Sequence, residues 1–106
     1  MPDRLEQLAK LLSADPRDTF VLYGLGQEHA KRGNHAAAIE HFDRTLAVDP
    51  HYHYAYFFKA RSQHALGDLA AARATVQAGL AAAHRAGDAK AANELSALQV
   101  ELSEAR

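Results

Sequence analysis

Seven histidines in 106 residues are the side chains most able to do chemistry in this sequence. A neutral imidazole is a common ligand for zinc, copper and nickel and titrates near physiological pH. Their placement at 29, 35, 41, 51, 53, 64 and 84 argues against a metal centre. No two stand four residues apart, the interval that sets two rings on one helix face. His51-Tyr52-His53 falls at a helix entrance with no evident third ligand. No metal is therefore expected. His29 reads as a core residue donating one hydrogen bond, and His41, His64 and His84 as solvated or groove-edge residues. If His29 is buried neutral, acid destabilises the fold as it charges. Gly24-Leu25-Gly26 lacks the third glycine and preceding strand of a dinucleotide loop, and no Lys-Ser or Lys-Thr phosphate loop is present. Ser13, Ser62, Ser96 and Ser103 have no glycine elbow or adjacent base to activate them. The carboxylates read as members of solvated faces. No cofactor and no catalysis are expected.

Composition narrows the class further. With 48% hydrophobic and 24% charged residues, the chain supports one domain over 1–106. A net charge of −1 and a pI of about 6.6 provide no field for phosphate backbones, so nucleic acid is not an expected partner. Cysteine is absent, which removes disulfides and thiolate sites. Met1-Pro2-Asp3-Arg4-Leu5-Glu6 is acidic where a secretory leader is basic, and no stretch approaches the roughly 18 apolar residues of a membrane span. The expectation is a cytoplasmic protein with no membrane partner.

The positioning elements announce themselves by repetition. Asp15-Pro16 returns as Asp49-Pro50 after 34 residues, and Gly33 returns as Gly67. Ala36-Ala37-Ala38 matches Ala70-Ala71-Ala72, Leu46-Ala47 matches Leu80-Ala81, and Phe20/Tyr54, Tyr23/Phe57 and Gly26/Ala60 keep their character. Such a period marks stacked helical hairpins that bury their apolar faces against neighbours. A first helix over 3–14 is capped by Asp3, with Leu5, Leu8, Leu11 and Leu12 on one stripe. Repeat 1 spans 19–50: Leu22, Leu25, Gly26 and His29 face inward, Gly33 breaks the hairpin, Asn34 caps the next helix, and Ala38, Ile39, Phe42 and Leu46 form its stripe. Repeat 2 spans 53–85, with Gly67 as break, Asp68 as cap and Ala72, Val76, Leu80 and Ala83 inward. Gly87-Asp88 ends it, and a last helix over 88–105 carries Ala91, Leu95, Leu98 and Leu102, leaving Val100 opposite. Glu6/Lys10, Glu40/Arg44 and Lys90/Glu94 are spaced as helix ion pairs.

The order Leu25-Gly26, Gly33-Asn34, Ala38, Phe42, Leu46 and Asp49-Pro50 resembles the tetratricopeptide repeat, and Tyr56, Ala60, Gly67-Asp68, Ala72 and Leu80 form a second copy. The resemblance implies an all-α fold: antiparallel helical hairpins stacked as a short right-handed superhelix, two repeats plus flanking N- and C-terminal helices. Lys59 departs from it, standing where Leu25 stands in the first copy; it either snorkels along its neighbours or meets another chain. In that family the first helix of each hairpin lines a concave groove where peptides or helices dock. Here this face reads Phe20, Tyr23, Gln27 and Lys31, then Tyr54, Phe57, Phe58, Arg61 and His64. Aromatic rings with an amide and an arginine are the composition of interface hot spots. Tyr23, Phe58 and Arg61 read as partner contacts; Phe20 and Phe57 serve equally as contacts or as internal packing. Tyr23, Gln27, Phe57 and Phe58 stand where family members that clamp acidic chaperone tails carry basic residues and asparagine, so a less charged, more apolar ligand is implied. Alanine at Tyr23 and Phe58 is then expected to abolish capture with melting nearly unchanged. The alternative is structural self-association as a homodimer through the terminal helix or the groove aromatics.

Overall fold

The computed structural model describes residues 3–105. Six helices follow one another: α1 (Arg4–Ala14), α2 (Thr19–Lys31), α3 (His35–Val48), α4 (His53–Ala65), α5 (Leu69–Ala86) and α6 (Ala89–Glu104). No strand occurs among the described residues. The helices stack as antiparallel hairpins into an α-solenoid of 42 × 31 × 18 Å.

Local chemistry sets the boundaries. Carboxylates of Asp3, Asp18, Asp68 and Asp88 accept amide hydrogens in the first turns of α1, α2, α5 and α6. Asn34 heads α3 without a side-chain cap bond, against expectation. At the matched turn Asp68 has nearly the same backbone and does cap, bonding Ala71. At both Asp-Pro breaks the aspartate Oδ1 turns back onto the amide two residues on, Asp15 to Arg17 at 3.2 Å and Asp49 to His51 at 3.0 Å. Gly33, Gly67 and Gly87 hold φ of 81°, 84° and 66°, which a side chain would strain. After each, the next amide closes onto the carbonyl five residues back: Asn34 to His29, Asp68 to Gln63 and Asp88 to Ala83.

Three apolar clusters fill the stack. Leu8, Val21 and Leu25 join α1 to α2; Ala38, Phe42 and Ala55 join α3 to α4; Ala60, Ala72, Val76, Leu95, Leu98 and Leu102 join α4, α5 and α6. A Cβ on Gly26 would sit 2.4 Å from Phe42 Cε1, so the close crossing of α2 and α3 requires glycine there. Lys59 lies along α3 with its Nζ 2.6 Å from Asp43 Oδ1, the snorkelled alternative.

Several expectations need correction. Leu11 is 56% exposed because its stripe is narrower than four leucines: only Leu8 is buried, with Leu5 and Leu12 at its edge. None of the three ion pairs expected from spacing closes, since an exposed pair gains little for the side-chain freedom it loses. Not every carboxylate is solvated: Glu28 is buried and paired with Arg32 at 3.2 Å and Arg4 at 3.8 Å, while Arg32 also reaches Asp3 at 3.3 Å. This network ties the start of α1 to the end of α2, so the buried charge is compensated. His29 donates no hydrogen bond; its ring stacks on His41 at 5.1 Å and encloses Nδ1 without a partner.

Candidate functional site

The helices α2, α4 and α6 present their sides to one face, where α2 touches α4 and α4 touches α6. Two open cavities lie along it. The first, of about 470 Å³, is lined by Gln27, Lys31, His35, Phe58, Arg61 and Ser62. The second, of about 290 Å³, is lined by Phe57, Arg61, Glu94, Ala97, Leu98 and Glu101. Arg61 belongs to both. Its guanidinium lies 5.1 Å from the Phe57 ring centroid, and Nη1 is 3.5 Å from Glu101 Oε2.

The residues read on this face do not stand on an equal footing. Gln27, Phe57, Phe58 and Arg61 line the cavities. Tyr23 lies beneath them, half-buried against Tyr52, Phe42 and Phe58 at centroid distances of 4.9, 5.9 and 6.3 Å. Its hydroxyl accepts the Gln27 amide, and burial pushes its pKa up to about 12. Phe58 meets Phe57 edge-on at 5.1 Å and borders the Phe42 cluster. Alanine at Tyr23 and Phe58 therefore removes core packing, so the expectation of unchanged melting does not hold. Tyr54 lies tilted against His53 at 4.0 Å and places its hydroxyl 3.5 Å from Glu94 Oε1. Phe57 packs on the cluster of α4, α5 and α6 while offering its outer face to Arg61. Phe20 is 72% exposed at the start of α2, and His64, half-buried in the last turn of α4, lines neither cavity.

Glu94, Ala97 and Glu101, the α6 wall, escaped the sequence reading. Their signal was present: spaced by three and four, they run beside the Leu95, Leu98, Leu102 stripe. Ser62 also differs from its reading, because His35 Nδ1 stands 3.1 Å from its Oγ. The pair ties α3 to α4. Ser62 is 1% exposed at the wall of the first cavity, inside a helix whose amides bond within it, so no oxyanion donor accompanies the base.

Elsewhere α1, α2 and α3 line an open hollow of about 460 Å³ between Leu5, Leu12, Leu25, His29, His41 and Arg44. Burial, then the neighbouring His41 and Arg32, lower the His29 pKa against the pull of Glu40 and Glu28. His41 Nδ1 bonds the Ala37 carbonyl at 2.8 Å, leaving two stacked rings with no third donor. Among the described residues no group of three or more His, Asp or Glu could hold a metal. No described helix is long and apolar enough to cross a membrane.

Comparison with known proteins agrees with this architecture. The family profile of the tetratricopeptide repeat matches residues 23–89. A TPR repeat-containing protein of Pseudomonas aeruginosa is 32% identical over 102 residues, covering 96% of this chain and 97% of that protein. The solution structure of a protein from Bordetella parapertussis superposes with a TM-score of 0.83 at 29% identity, over 97% of this chain and 90% of the other. The TPR2B domain of yeast Sti1, solved in complex with pHsp70, superposes with a TM-score of 0.88 over 96% of this chain and 82% of that one; at 22% identity the likeness speaks to the fold alone. Periodic glycine turns, nested hairpins and these matches together make the chain a member of the tetratricopeptide repeat family.

Proposed function

We propose that the chain is a non-catalytic interaction module that holds a peptide or helix of a partner protein along the groove of α2, α4 and α6. Membership of the tetratricopeptide repeat family points to protein–protein interaction, and a structural neighbour of the same fold is a complex with pHsp70. The observation that supports this groove is the pair of adjoining cavities sharing Arg61 and roofed by Phe57 and Phe58. Desolvated rings beside an arginine fork are where binding energy concentrates. Phe20, Gln27, Phe57, Phe58 and Arg61 are the proposed contacts, Tyr23 and Tyr54 set the rings beneath them, and His64 marks the groove's far end. In this proposal residues 1–106 act as one unit, repeats at 19–50 and 53–85 between the helices at 3–14 and 88–105.

The test is a substitution that fills the groove from its rim. Ala97 is exposed on α6, so Ala97→Trp blocks the second cavity without disturbing the buried stripe. Parent protein should retain a partner that the variant loses, with equal helicity by circular dichroism; equal retention by both counts against the groove. A second reading, homodimerisation, has one specific support: Val100 is 57% exposed on the side of α6 away from its buried leucines. Sedimentation that stays monomeric at tens of micromolar removes it.

A further inference from the structure

We propose that the segment held by this groove presents a lysine or arginine beside an apolar residue to the cavity between α4 and α6. The inference rests on the groove reading and adds the chemistry of the occupant. The cavity's apolar surface comes from Phe57, Ala97 and Leu98, and its polar wall is two carboxylates of α6, Glu94 and Glu101. Seven residues separate them, about 10 Å along the helix, so an extended side chain can lie between.

Their charge is incompletely balanced from within. Glu101 meets Arg61 at 3.5 Å, with both side chains about half exposed. Glu94 has no lysine or arginine partner among the described residues; the Tyr54 hydroxyl at 3.5 Å and His53 Nε2 at 3.7 Å are its polar neighbours. One cation, Arg61, therefore faces two carboxylates in this cavity. Arg61 also shows what the surface accepts: a guanidinium seated over an aromatic ring and paired with a carboxylate. A ligand cation would find the same ring cluster and Glu94, which no lysine or arginine pairs among the described residues, and its aliphatic stem or neighbour would cover Ala97 and Leu98. The first cavity differs. Lys31, Arg61 and His35 line it, and the charge of its one carboxylate, Glu28, is held by Arg4 and Arg32. The groove thus has a polarity, acidic toward α6 and basic toward α2.

A phage-displayed library of random dodecapeptides, panned on the immobilised full chain, tests this directly. Enriched peptides should carry arginine or lysine next to an aromatic or aliphatic residue. By fluorescence anisotropy the Glu94→Gln/Glu101→Gln variant should bind them about tenfold more weakly, and added salt should weaken binding to the parent. Replacing the selected basic residue by glutamate in the peptide should abolish binding to the parent, a readout independent of any folding defect in the variant. Enrichment of acidic peptides that need Lys31 and ignore the glutamate variant overturns this inference and leaves the groove reading standing. Peptides that bind Ala97→Trp as well as the parent without needing Lys31, or no enrichment over that blocked variant, overturn both.

Discussion

Repeat 1 and repeat 2 solve the same contacts with exchanged side chains. In repeat 1, Gly26 makes room for the Phe42 ring; 34 residues on, Ala60 and Val76 share one cluster, alanine replacing the glycine and the smaller valine replacing the ring. In repeat 2, Gly79 yields to Tyr56, whose matched residues in repeat 1 are Thr45 and Leu22, both buried. The polar pair follows suit: stacked His29 and His41 match Gln63 and Thr75, which are joined by a 2.6 Å hydrogen bond. What repeats is the complementarity of a facing pair, as close packing demands, and not the identity of either member.

The contrast can be broken at graded cost. Phe42→Ala should destabilise by about 3–5 kcal/mol in urea unfolding, and Val76→Ala by about 2, since the smaller matched side chain leaves the smaller void. Gly26→Ala should cost about 1–3 kcal/mol, and the obstacle is the end of a ring, so adding Phe42→Val should recover much of the loss. Gly79→Ala meets Tyr56 Cβ at 2.8 Å, an atom no rotamer removes, so Tyr56→Leu should not rescue it; recovery there would show that helix spacing is not the constraint. Acid should act through His29. Its pKa is lowered in the fold, so the unfolded chain takes up the proton first, near pH 6.5; stability falls as pH drops below that value and levels once the folded ring charges. Exchanging the pair for its counterpart, His29→Gln with His41→Thr, should flatten melting temperature against pH between about 5 and 7, and an unchanged slope would assign it to other groups. The smallest effect belongs to Lys59→Leu, the residue of repeat 1: loss of the pairing between its 22%-exposed side chain and Asp43 should change stability by less than about 1 kcal/mol.

Much of the fold was legible because its punctuation is local. Gly33, Gly67 and Gly87 end helices by backbone need alone, and the Asp-Pro pairs act within three residues, so α4 begins and ends at His53 and Ala65 as the pattern required. The site was legible in part. Helical spacing placed Gln27, Phe58 and Arg61 on one side of their helices, but not what lies across from it. Tyr23 turned out to be half-buried because Phe42 and Tyr52, from other elements, close over it. Glu28 and Arg32 stand one helical turn apart, but the Asp3–Arg32 bond and the His35–Ser62 contact join residues 29 and 27 apart in sequence, distances at which no periodicity reports. The α6 wall was hidden by its own buried stripe, which drew the reading to the neighbouring face of the helix.

The most direct measurement is an amide NMR titration of the isotope-labelled chain with the strongest library-selected peptide. Shifts should centre on Gln27, Lys31, Phe58, Arg61, Ala97 and Glu101, and Ala97→Trp should erase them. Shifts confined to Ile39, Arg44 and Arg73 on α3 and α5, with the α2, α4 and α6 face silent, would contradict the groove as the working surface.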